Sequence, residues 1–485
     1  MNIKLISRII AMILLIESAL MLPSMFIAMF EGNMRVVHSF MVTIILIAAI
    51  GLAVLKFVKS SRKDFYAQEG LVTTGLSWIF MSLFGALPFF LSRQIPNYID
   101  AVFETVSGFT TTGASILGDV ESMSKGILFW RSFTHWIGGM GMLVFLLAVI
   151  PVIGKNSGSN VYLLRAESPG PSPGKFTPKI HHTALILYGI YMALTLLCFF
   201  FLLAGGMPVF DSICTAFGTA GTGGFGVKNT SLAGYSPYIQ SVTTVFMLLF
   251  GVNFNIYYLI ILRKFNAVFK DEELRAYIFL VLLSIGAITL NIHNMYRSFR
   301  VSFHEAAFQV SSIITTTGFS TSDFDLWPSF SKSILLVLMC VGACAGSTGG
   351  GMKVIRISLL FKSIKRNTIK AIHPRQVWAI QINERVVDEK IINGTHAYLS
   401  VYCSICLISF LLISLDGLTT GTNLSAVLAC FNNIGPGIEL VGASRNYSVY
   451  SAFSKIILSL DMLLGRLEIF PILLLFNTAT WRRKG

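Results

Sequence analysis

The 485-residue sequence has few charged residues and no recognisable catalytic motif. Charged side chains make up 12% of the chain, against about 25% in an average soluble protein, and hydrophobic residues make up 54%. There is no Ser/His/Asp grouping, no HExxH and no Walker A sequence, so the sequence gives no reason to expect an enzyme or a tightly bound organic cofactor. Its apolar runs reach the ~20 residues that cross a bilayer. This composition predicts a polytopic membrane protein.

Cysteine is also sparse. The seven cysteines show neither a disulfide framework nor zinc-ligand spacing. Cys403 and Cys406 form a CxxC inside an apolar run without histidine partners, so packing as small core residues is the better interpretation. His135 lies in a similar apolar setting, which favours packing or hydrogen bonding over a proton relay.

Basic residues outnumber acidic ones and give a net charge of +14. They fall in clusters separated by basic-poor loops, at 56–63, 155–179, 263–270, 353–375 and 482–484. The positive-inside rule places these clusters and both termini on the cytoplasmic side. The excess charge therefore orients the chain and can contact anionic membrane lipid, and it does not indicate nucleic acid as a partner. The apolar run at 9–30 is too long for a signal-peptide core, so we expect it to be retained as the first span.

Two apolar spans come first, and four copies of one unit follow. Each unit consists of a span, a short helix, a glycine-bearing turn and a second span. We divide the chain into two N-terminal transmembrane helices (1–66) and four pore repeats at 67–155, 156–270, 271–375 and 376–485. Repeat 2 carries a Pro/Gly-rich cytoplasmic linker at 168–174. Because each unit returns to its starting side, the predicted all-α repeats are parallel and can surround one axis.

The prediction comprises ten spans and four short helices. The spans lie near 7–30, 37–58, 71–92, 126–152, 183–204, 237–262, 275–294, 332–360, 395–415 and 450–478. The short helices lie near 99–109, 208–218, 303–314 and 422–432, and are too short to cross the membrane. Ser302 and Glu305 stand at capping-box spacing at the start of the third. If the short helices enter from outside, their C-terminal dipole ends favour a cation near the midplane.

A glycine-bearing turn follows each short helix. The turns are Thr110-Thr111-Thr112-Gly113, Ala220-Gly221-Thr222-Gly223, Thr315-Thr316-Thr317-Gly318 and Asn432-Asn433-Ile434-Gly435. Irregular backbone at membrane depth is tolerated only where it is buried in protein or lines a water-filled path. Four tight turns at helix ends would explain each motif alone, but not their shared setting. The pattern predicts a pore whose carbonyl oxygens replace the hydration shell of a cation.

None of the four turns contains aspartate or glutamate. A calcium site would favour carboxylates, whereas a neutral cage of carbonyl oxygens suits a monovalent cation. Hydration arguments alone leave both potassium and sodium open.

Two further features lie in the second spans of repeats 3 and 4. Gly346-Ser347-Thr348-Gly349-Gly350-Gly351 interrupts the former, and each glycine lowers helix stability by ~1 kcal/mol. We expect an unwound loop below the filter, with a tightly packed small-residue helix as the alternative. Arg466 lies inside the last apolar span and is a functional candidate for that reason. It either lines the ion path or pairs with Asp461 or Glu468 as a structural contact.

These motifs resemble those of a known family. TTTGAS (110–115), GTGGF (221–225), TTTGFS (315–320) and NNIGPG (432–437) are similar to the four filter segments of the Trk/Ktr/HKT superfamily of potassium transporters. GACAGSTGGGMKVIRI (342–357) resembles its intramembrane loop, and GRLEIFP (465–471) resembles its last span. The resemblance covers nearly the whole chain, and the two extra N-terminal spans are similar to those of its bacterial uptake proteins. The fourth turn, which has no threonine triplet, departs furthest from the pattern.

The resemblance implies potassium as the transported ion and uptake across the bacterial inner membrane. In that family a glycine in all four filters accompanies potassium preference, and the matching residues are Gly113, Gly223, Gly318 and Gly435. The resemblance also implies that the glycine-rich loop and Arg466 form the gate, that a cytosolic nucleotide-binding ring regulates it, and that the protein is a homodimer. Sodium or mixed monovalent-cation transport by the same architecture stays open, as do a non-conducting scaffold and the choice between gated channel and ion-coupled symport.

Overall fold

A computed structural model describes residues 1–58, 67–141, 180–376 and 378–481. Within these ranges the chain is almost entirely helical, and the strands are one antiparallel hairpin of Gln381–Ile382 and Arg385–Val386. The linker at 168–174 and the end of the span expected near 126–152 lie outside the described residues. The predicted all-α membrane architecture is confirmed.

The helices fall into an N-terminal group and four repeats. The N-terminal helices are Ile3–Leu20, Leu22–Phe30 and Met34–Phe57. Repeat 1 has Ala67–Gly85, Leu87–Leu91, Tyr98–Phe109 and Lys125–Gly139. Repeat 2 has Ile180–Ala204, Val209–Gly221, Pro237–Phe250, Phe254–Ile261 and Phe265–Lys270. Repeat 3 has Glu272–Tyr296, Phe299–Ile314, Ser329–Val341 and Val354–Ile372. Repeat 4 has Glu389–Ile413, Thr420–Phe431, Ala452–Arg466, Phe470–Phe476 and Thr478–Trp481.

Six helices among the described residues are long and apolar enough to cross a membrane unbroken. They are Ile3–Phe30, Met34–Phe57, Gln68–Leu91, Ala184–Ala204, Glu272–Tyr296 and Glu389–Asp416. Large apolar side chains on two of them, such as Leu290 (73% exposed) and Leu411 (67% exposed), face outward, as expected for a surface that contacts lipid. The two N-terminal spans and the first span of every repeat therefore agree with the prediction.

The spans expected near 237–262 and 450–478 are both broken, and the sequence analysis did not anticipate these breaks. In repeat 2 the helices Pro237–Phe250 and Phe254–Ile261 meet at 88°. In repeat 4 the chain breaks between Arg466 and Phe470, where Glu468 and Ile469 have positive φ angles of 55° and 70°. Both segments are mainly apolar, and hydropathy alone does not show where their backbone breaks.

The short helices, here called pore helices 1 to 4, are Tyr98–Phe109, Val209–Gly221, Phe299–Ile314 and Thr420–Phe431. Local capping defines their starts: Asn97 accepts from the Ile99 amide at 2.9 Å, and Thr419 accepts from the Thr422 amide at 3.2 Å. Pore helix 3 begins at Phe299, so the capping box expected from Ser302 is absent; the Ser302 hydroxyl instead donates to the Ser298 carbonyl within the first turn. Each pore helix ends directly at its glycine-bearing turn.

Candidate ion-selective site

Backbone hydrogen bonds align the four turns and correct one of them. The amides of Thr112, Gly223, Thr317 and Ile434 each donate to the carbonyl five residues earlier, at 2.8 to 2.9 Å. The next residue in each turn is therefore Gly113, Gly224, Gly318 and Gly435. The expected central glycine of repeat 2, Gly223, was wrong by one residue, and Ala220 therefore lies one residue before the segment that aligns with the other three turns.

Backbone dihedral angles give the same alignment. The second residue of each turn, Thr111, Thr222, Thr316 or Asn433, has φ between 54° and 58°. The central glycines have φ between 75° and 93°. Two left-handed residues in four reverse the chain at the pore-helix end, and glycine adopts the second of these conformations without steric cost. We call 110–113, 221–224, 315–318 and 432–435 the filter segments.

The four filter segments form a closed ring. A Cβ atom added to any central glycine would lie under 3.0 Å from a carbonyl oxygen of the next repeat. Gly113 meets the Gly223 carbonyl, Gly224 meets Thr317, Gly318 meets Ile434, and Gly435 meets Thr112. The contacts thus run from repeat 1 to 2, 3, 4 and back to 1. This arrangement places one filter carbonyl of each repeat beside the central glycine of a neighbouring repeat.

Threonine hydroxyls brace two of the segments from behind. The Thr110 hydroxyl donates to the Val106 carbonyl at 2.6 Å and lies 2.8 Å from the Thr112 hydroxyl. In repeat 3, Thr315 and Thr317 repeat the second contact at 2.8 Å. Because these hydroxyls bond to one another and to the pore helix, they fix the backbone of the filter segments.

Repeat 4 uses asparagine for the same purpose. The Asn433 side-chain amide donates to the Thr112 hydroxyl and to the Met462 carbonyl, both at 2.9 Å. Asn432 donates to the Tyr402 hydroxyl at 2.9 Å. Asparagine also tolerates the left-handed conformation at position 433 better than most residues. The most divergent filter segment is therefore anchored by amide bonds in place of a threonine triplet.

A buried ion pair supports the ends of two filter segments. Glu104 on pore helix 1 accepts from Arg131 Nε at 2.6 Å, and both side chains are at most 3% exposed. The same carboxylate accepts from the Ser115 hydroxyl at 2.9 Å, just after the first segment. Arg131 donates to the Gly226 carbonyl at 3.0 Å and lies 3.5 Å from the centre of the Phe225 ring, just after the second. The pair thus joins repeats 1 and 2 behind the ring.

The glycine-rich loop lies against the filter segments at the end where they leave the pore helices. Residues 342–353 separate Ser329–Val341 from Val354–Ile372, so the expected interruption is present. The Gly350 amide donates to the Thr316 hydroxyl at 2.6 Å, and the Gly351 amide donates to the Asn432 carbonyl at 3.1 Å. Gly346 accepts from the Phe254 amide at 3.0 Å. The loop is therefore bonded to repeats 2, 3 and 4.

Arg466 joins the loop to repeat 1. Its guanidinium donates to the Thr348 carbonyl at 2.8 Å, to the Gly139 carbonyl at 3.0 Å and to the Gly138 carbonyl. The acidic residues considered as its partners are engaged elsewhere: Glu468 pairs with Arg356 at 2.5 Å, and Asp461 accepts from Ser409 at 2.7 Å. A positive charge therefore lies at the level of the loop, held by carbonyl oxygens.

Lys353 adds a second cation to this region. We grouped it with the cytoplasmic basic cluster, but it is 3% exposed and its amine donates to the Gly349 carbonyl.

His135 packs beside the filter segments. Its imidazole lies 2.8 Å from the Gly108 carbonyl, and the imidazole centre lies 4.1 Å from the centre of the Phe225 ring. These contacts agree with the packing role that its apolar setting suggested.

Two acidic residues lie in the stretches that follow the first and fourth filter segments, and we call these stretches the mouth. The Asn229 side chain donates to Asp119 at 2.8 Å and holds the pKa of that exposed carboxyl below its ordinary value. Hydrogen bonds from the Thr419 and Thr422 hydroxyls likewise hold the pKa of Glu439 below its ordinary value. Both groups are therefore ionised at neutral pH, and negative charge at a pore mouth raises the local concentration of cations.

Comparison with known proteins gives the family. Residues 32–482 match the family model described as TrkH, cation transport protein. The chain belongs to the TrkH family. It is 35% identical to the Trk system potassium uptake protein TrkH of Escherichia coli K12, over 99% of this chain and all of that protein. It is 30% identical to the uptake protein TrkG of the same strain, over 99% of each.

A solved TrkH-family structure has the same fold. The crystal structure of the potassium transporter TrkH from Vibrio parahaemolyticus superposes with a TM-score of 0.87 at 32% sequence identity, covering 99% of this chain and all of that one. The resemblance seen in the sequence is confirmed, and so is a multi-pass membrane protein.

The sequence analysis missed the buried charged residues around the ring of filter segments. Glu104 and Arg131 are ionisable residues in apolar segments, which is a signal of function that could have identified them.

Proposed function

We propose that this protein carries potassium across the bacterial inner membrane, inward through the ring of filter segments. The observation that supports this most directly is the closed set of contacts between each central glycine and the neighbouring carbonyl. A neutral cage of carbonyl oxygens replaces the hydration shell of a monovalent cation. The relatives named as potassium uptake proteins support potassium in particular. In this scheme the mouth near Asp119 is external, and both termini are cytoplasmic.

We further propose that the glycine-rich loop is the gate. It lies across the inner end of the ring with Arg466 and Lys353, whose positive charges oppose a cation by Coulomb repulsion. A cytosolic nucleotide-binding ring, acting on a homodimer of this chain, would then set the position of the loop. Both the cytosolic nucleotide-binding ring and the homodimer are inferred from the family resemblance.

Ion flux in liposomes tests the proposal. The purified protein should carry potassium faster than sodium, and deletion of residues 346–351 should raise the basal potassium flux. Sodium flux equal to or above potassium flux would favour the alternative of a sodium or mixed-cation transporter. Absence of any flux, also after the deletion, would favour a non-conducting membrane scaffold.

A further inference from the structure

Three consecutive acidic residues, Asp271, Glu272 and Glu273, stand at the start of the helix Glu272–Tyr296 on the loop side of the membrane. Each contacts a different part of the protein. Asp271 caps its own helix by accepting from the Leu274 amide at 2.8 Å. Glu272 and Glu273 reach the β-hairpin and the glycine-rich loop. We call these three residues the acidic turn.

Glu273 holds both ends of the loop. Its Oε1 atom accepts from the Ala345 amide at 2.7 Å and from the Ile355 amide at 3.3 Å, and the residue is 5% exposed. Ile355 lies in the first turn of the helix Val354–Ile372, whose N-cap residue Lys353 makes no side-chain cap. A carboxylate near a helix N-terminus satisfies free amides and interacts favourably with the helix dipole. Glu273 thus supplies this cap from another helix.

The hairpin tip is bonded to the other two acids. Asn383 accepts from the Glu272 amide at 2.8 Å, donates its backbone amide to the Glu272 carboxylate at 3.1 Å, and donates its side chain to Asp271 at 2.9 Å. Asn383 and Glu384 both have positive φ, of 50° and 63°, as in a two-residue hairpin turn. Asn383 is exposed, so the tip is bonded to the acidic turn and open to the cytoplasmic side.

An apolar cluster makes a second connection between the hairpin and the loop. It contains Ala345 of the loop and Ile355 just after it, and it also contains Ile380, Ile382 and Val387 around the hairpin. The hairpin and the loop therefore share one small core as well as one polar link. A displacement of the hairpin therefore disturbs both the apolar contacts of Ala345 and Ile355 and their hydrogen bonds to Glu273.

We propose that the acidic turn is a transmission element, which passes the position of the hairpin Gln381–Val386 to the glycine-rich loop through Glu273. Asn383 and Glu273 are positioning residues: neither lies in the filter segments. A cytosolic partner that pulls the hairpin from the acidic turn would release the loop and open the path. This inference rests on the proposed role of the loop as the gate.

Potassium flux of the full chain in liposomes, without any partner, measures the effect. Asn383→Gly keeps the positive φ and removes both side-chain contacts, and Glu273→Ala removes the cap. Each should raise basal flux, by about fivefold for the loss of a typical hydrogen-bond contribution. Glu273→Gln retains an accepting oxygen and should behave like the wild type. Glu384→Gln is the matched control, because it keeps every contact of Asn383 with the acidic turn and removes only the exposed pair with Lys270, which contributes little to stability.

Hydrogen exchange supplies a readout at a distance. In Asn383→Gly, the amides of residues 342–356 should exchange faster, although Asn383 contacts none of them directly. The flux effect should also disappear when 346–351 are deleted, since there is then no loop to release. This non-additivity is the signature of two changes acting on one element.

The outcomes separate this inference from the proposed gate. If the deletion raises flux but folded Asn383→Gly shows wild-type flux and wild-type exchange, the gate stands and the transmission element is refuted. If the deletion leaves flux unchanged, the gate is refuted and the inference with it. Should Glu273→Ala fail to fold, Asn383→Gly decides alone, because it changes an exposed tip.

Discussion

Gly113 lies so close to the Gly223 carbonyl of the neighbouring repeat that no Cβ atom fits between them. The carbonyl that it meets is one of four, each from a different repeat, that lie beside a central glycine. A side chain at position 113 must therefore push a filter carbonyl out of place. The same relationship holds for Gly224 and the Thr317 carbonyl, which makes the size of the cage depend on every central glycine.

The first prediction concerns ion selectivity. Gly113→Ser and Gly224→Ser should each lower the potassium-to-sodium flux ratio, because the added atoms displace a carbonyl and the left-handed backbone costs a non-glycine residue roughly 1–2 kcal/mol. A loss of about tenfold corresponds to ~1.4 kcal/mol of discrimination. Flux of both ions in liposomes measures it.

Gly226→Ala is the control for these variants. It lies two residues beyond Gly224, and the atom nearest to an added Cβ is 3.5 Å away, an ordinary contact. Its flux ratio should match the wild type. An unchanged ratio in well-folded Gly224→Ser would remove that residue from the filter and restore the alignment centred on Gly223.

The second prediction concerns the buried pair of Glu104 and Arg131. Glu104→Gln leaves the Arg131 charge buried without its counter-charge, which costs roughly 3–5 kcal/mol in comparable cases. The variant should melt at a lower temperature and lose selectivity, because Arg131, which holds the Gly226 carbonyl, loses the carboxylate that positions it. Adding Arg131→Gln should recover part of the stability, since the uncompensated charge is then gone.

A surface pair is the reference for that measurement. Lys270 and Glu384 lie 3.5 Å apart, and their side chains are 74% and 83% exposed. Removing one partner of such a pair changes stability by about 1 kcal/mol or less. If Glu104→Gln were as mild as Glu384→Gln, the buried pair would not support the filter.

The third prediction tests the contact between the glycine-rich loop and the filter segments without deleting the loop. A Cβ atom on Gly350 would lie under 3.0 Å from the Asn432 carbonyl, so Gly350→Ala should push the loop from the ring and raise basal potassium flux. Gly394→Ala is the control, because no atom lies within 4 Å of an added Cβ there. Gly394 is inside a helix, where alanine is the better residue by roughly 1 kcal/mol. Equal flux in the two variants would argue against the loop as a barrier.

The sequence predicted the architecture because its signals are local. Apolar runs located the unbroken spans, and glycine beside threonine or asparagine located the turns. The register of repeat 2 was missed because Gly223 and Gly224 are adjacent, and only the folded backbone distinguishes them, through the bond from the Gly223 amide to the Gly218 carbonyl and the positive φ of Gly224. Glu104 and Arg131 are 27 residues apart, and no periodicity connects them. Lys353 was grouped with the basic cluster because basic residues follow it in the sequence, and the burial of its amine depends on the folded loop.

The last prediction concerns Arg466. Its guanidinium ties the Thr348 carbonyl of the loop to the Gly139 carbonyl of repeat 1, so it both holds the loop and places a positive charge beside it. Arg466→Ala removes both effects and should raise potassium flux per folded molecule. Arg466→Lys keeps the charge, but a single ammonium cannot reproduce the planar fork that reaches several carbonyls. Its flux should therefore fall between those of the wild type and Arg466→Ala.

The comparison of the two variants separates charge from tether. If the charge alone forms the barrier, Arg466→Lys will conduct like the wild type. If the tether alone matters, Arg466→Lys will conduct like Arg466→Ala. Flux per folded molecule at or below the wild-type value in Arg466→Ala would exclude both effects, and the barrier would then consist of the loop backbone with Lys353, whose amine remains on the Gly349 carbonyl.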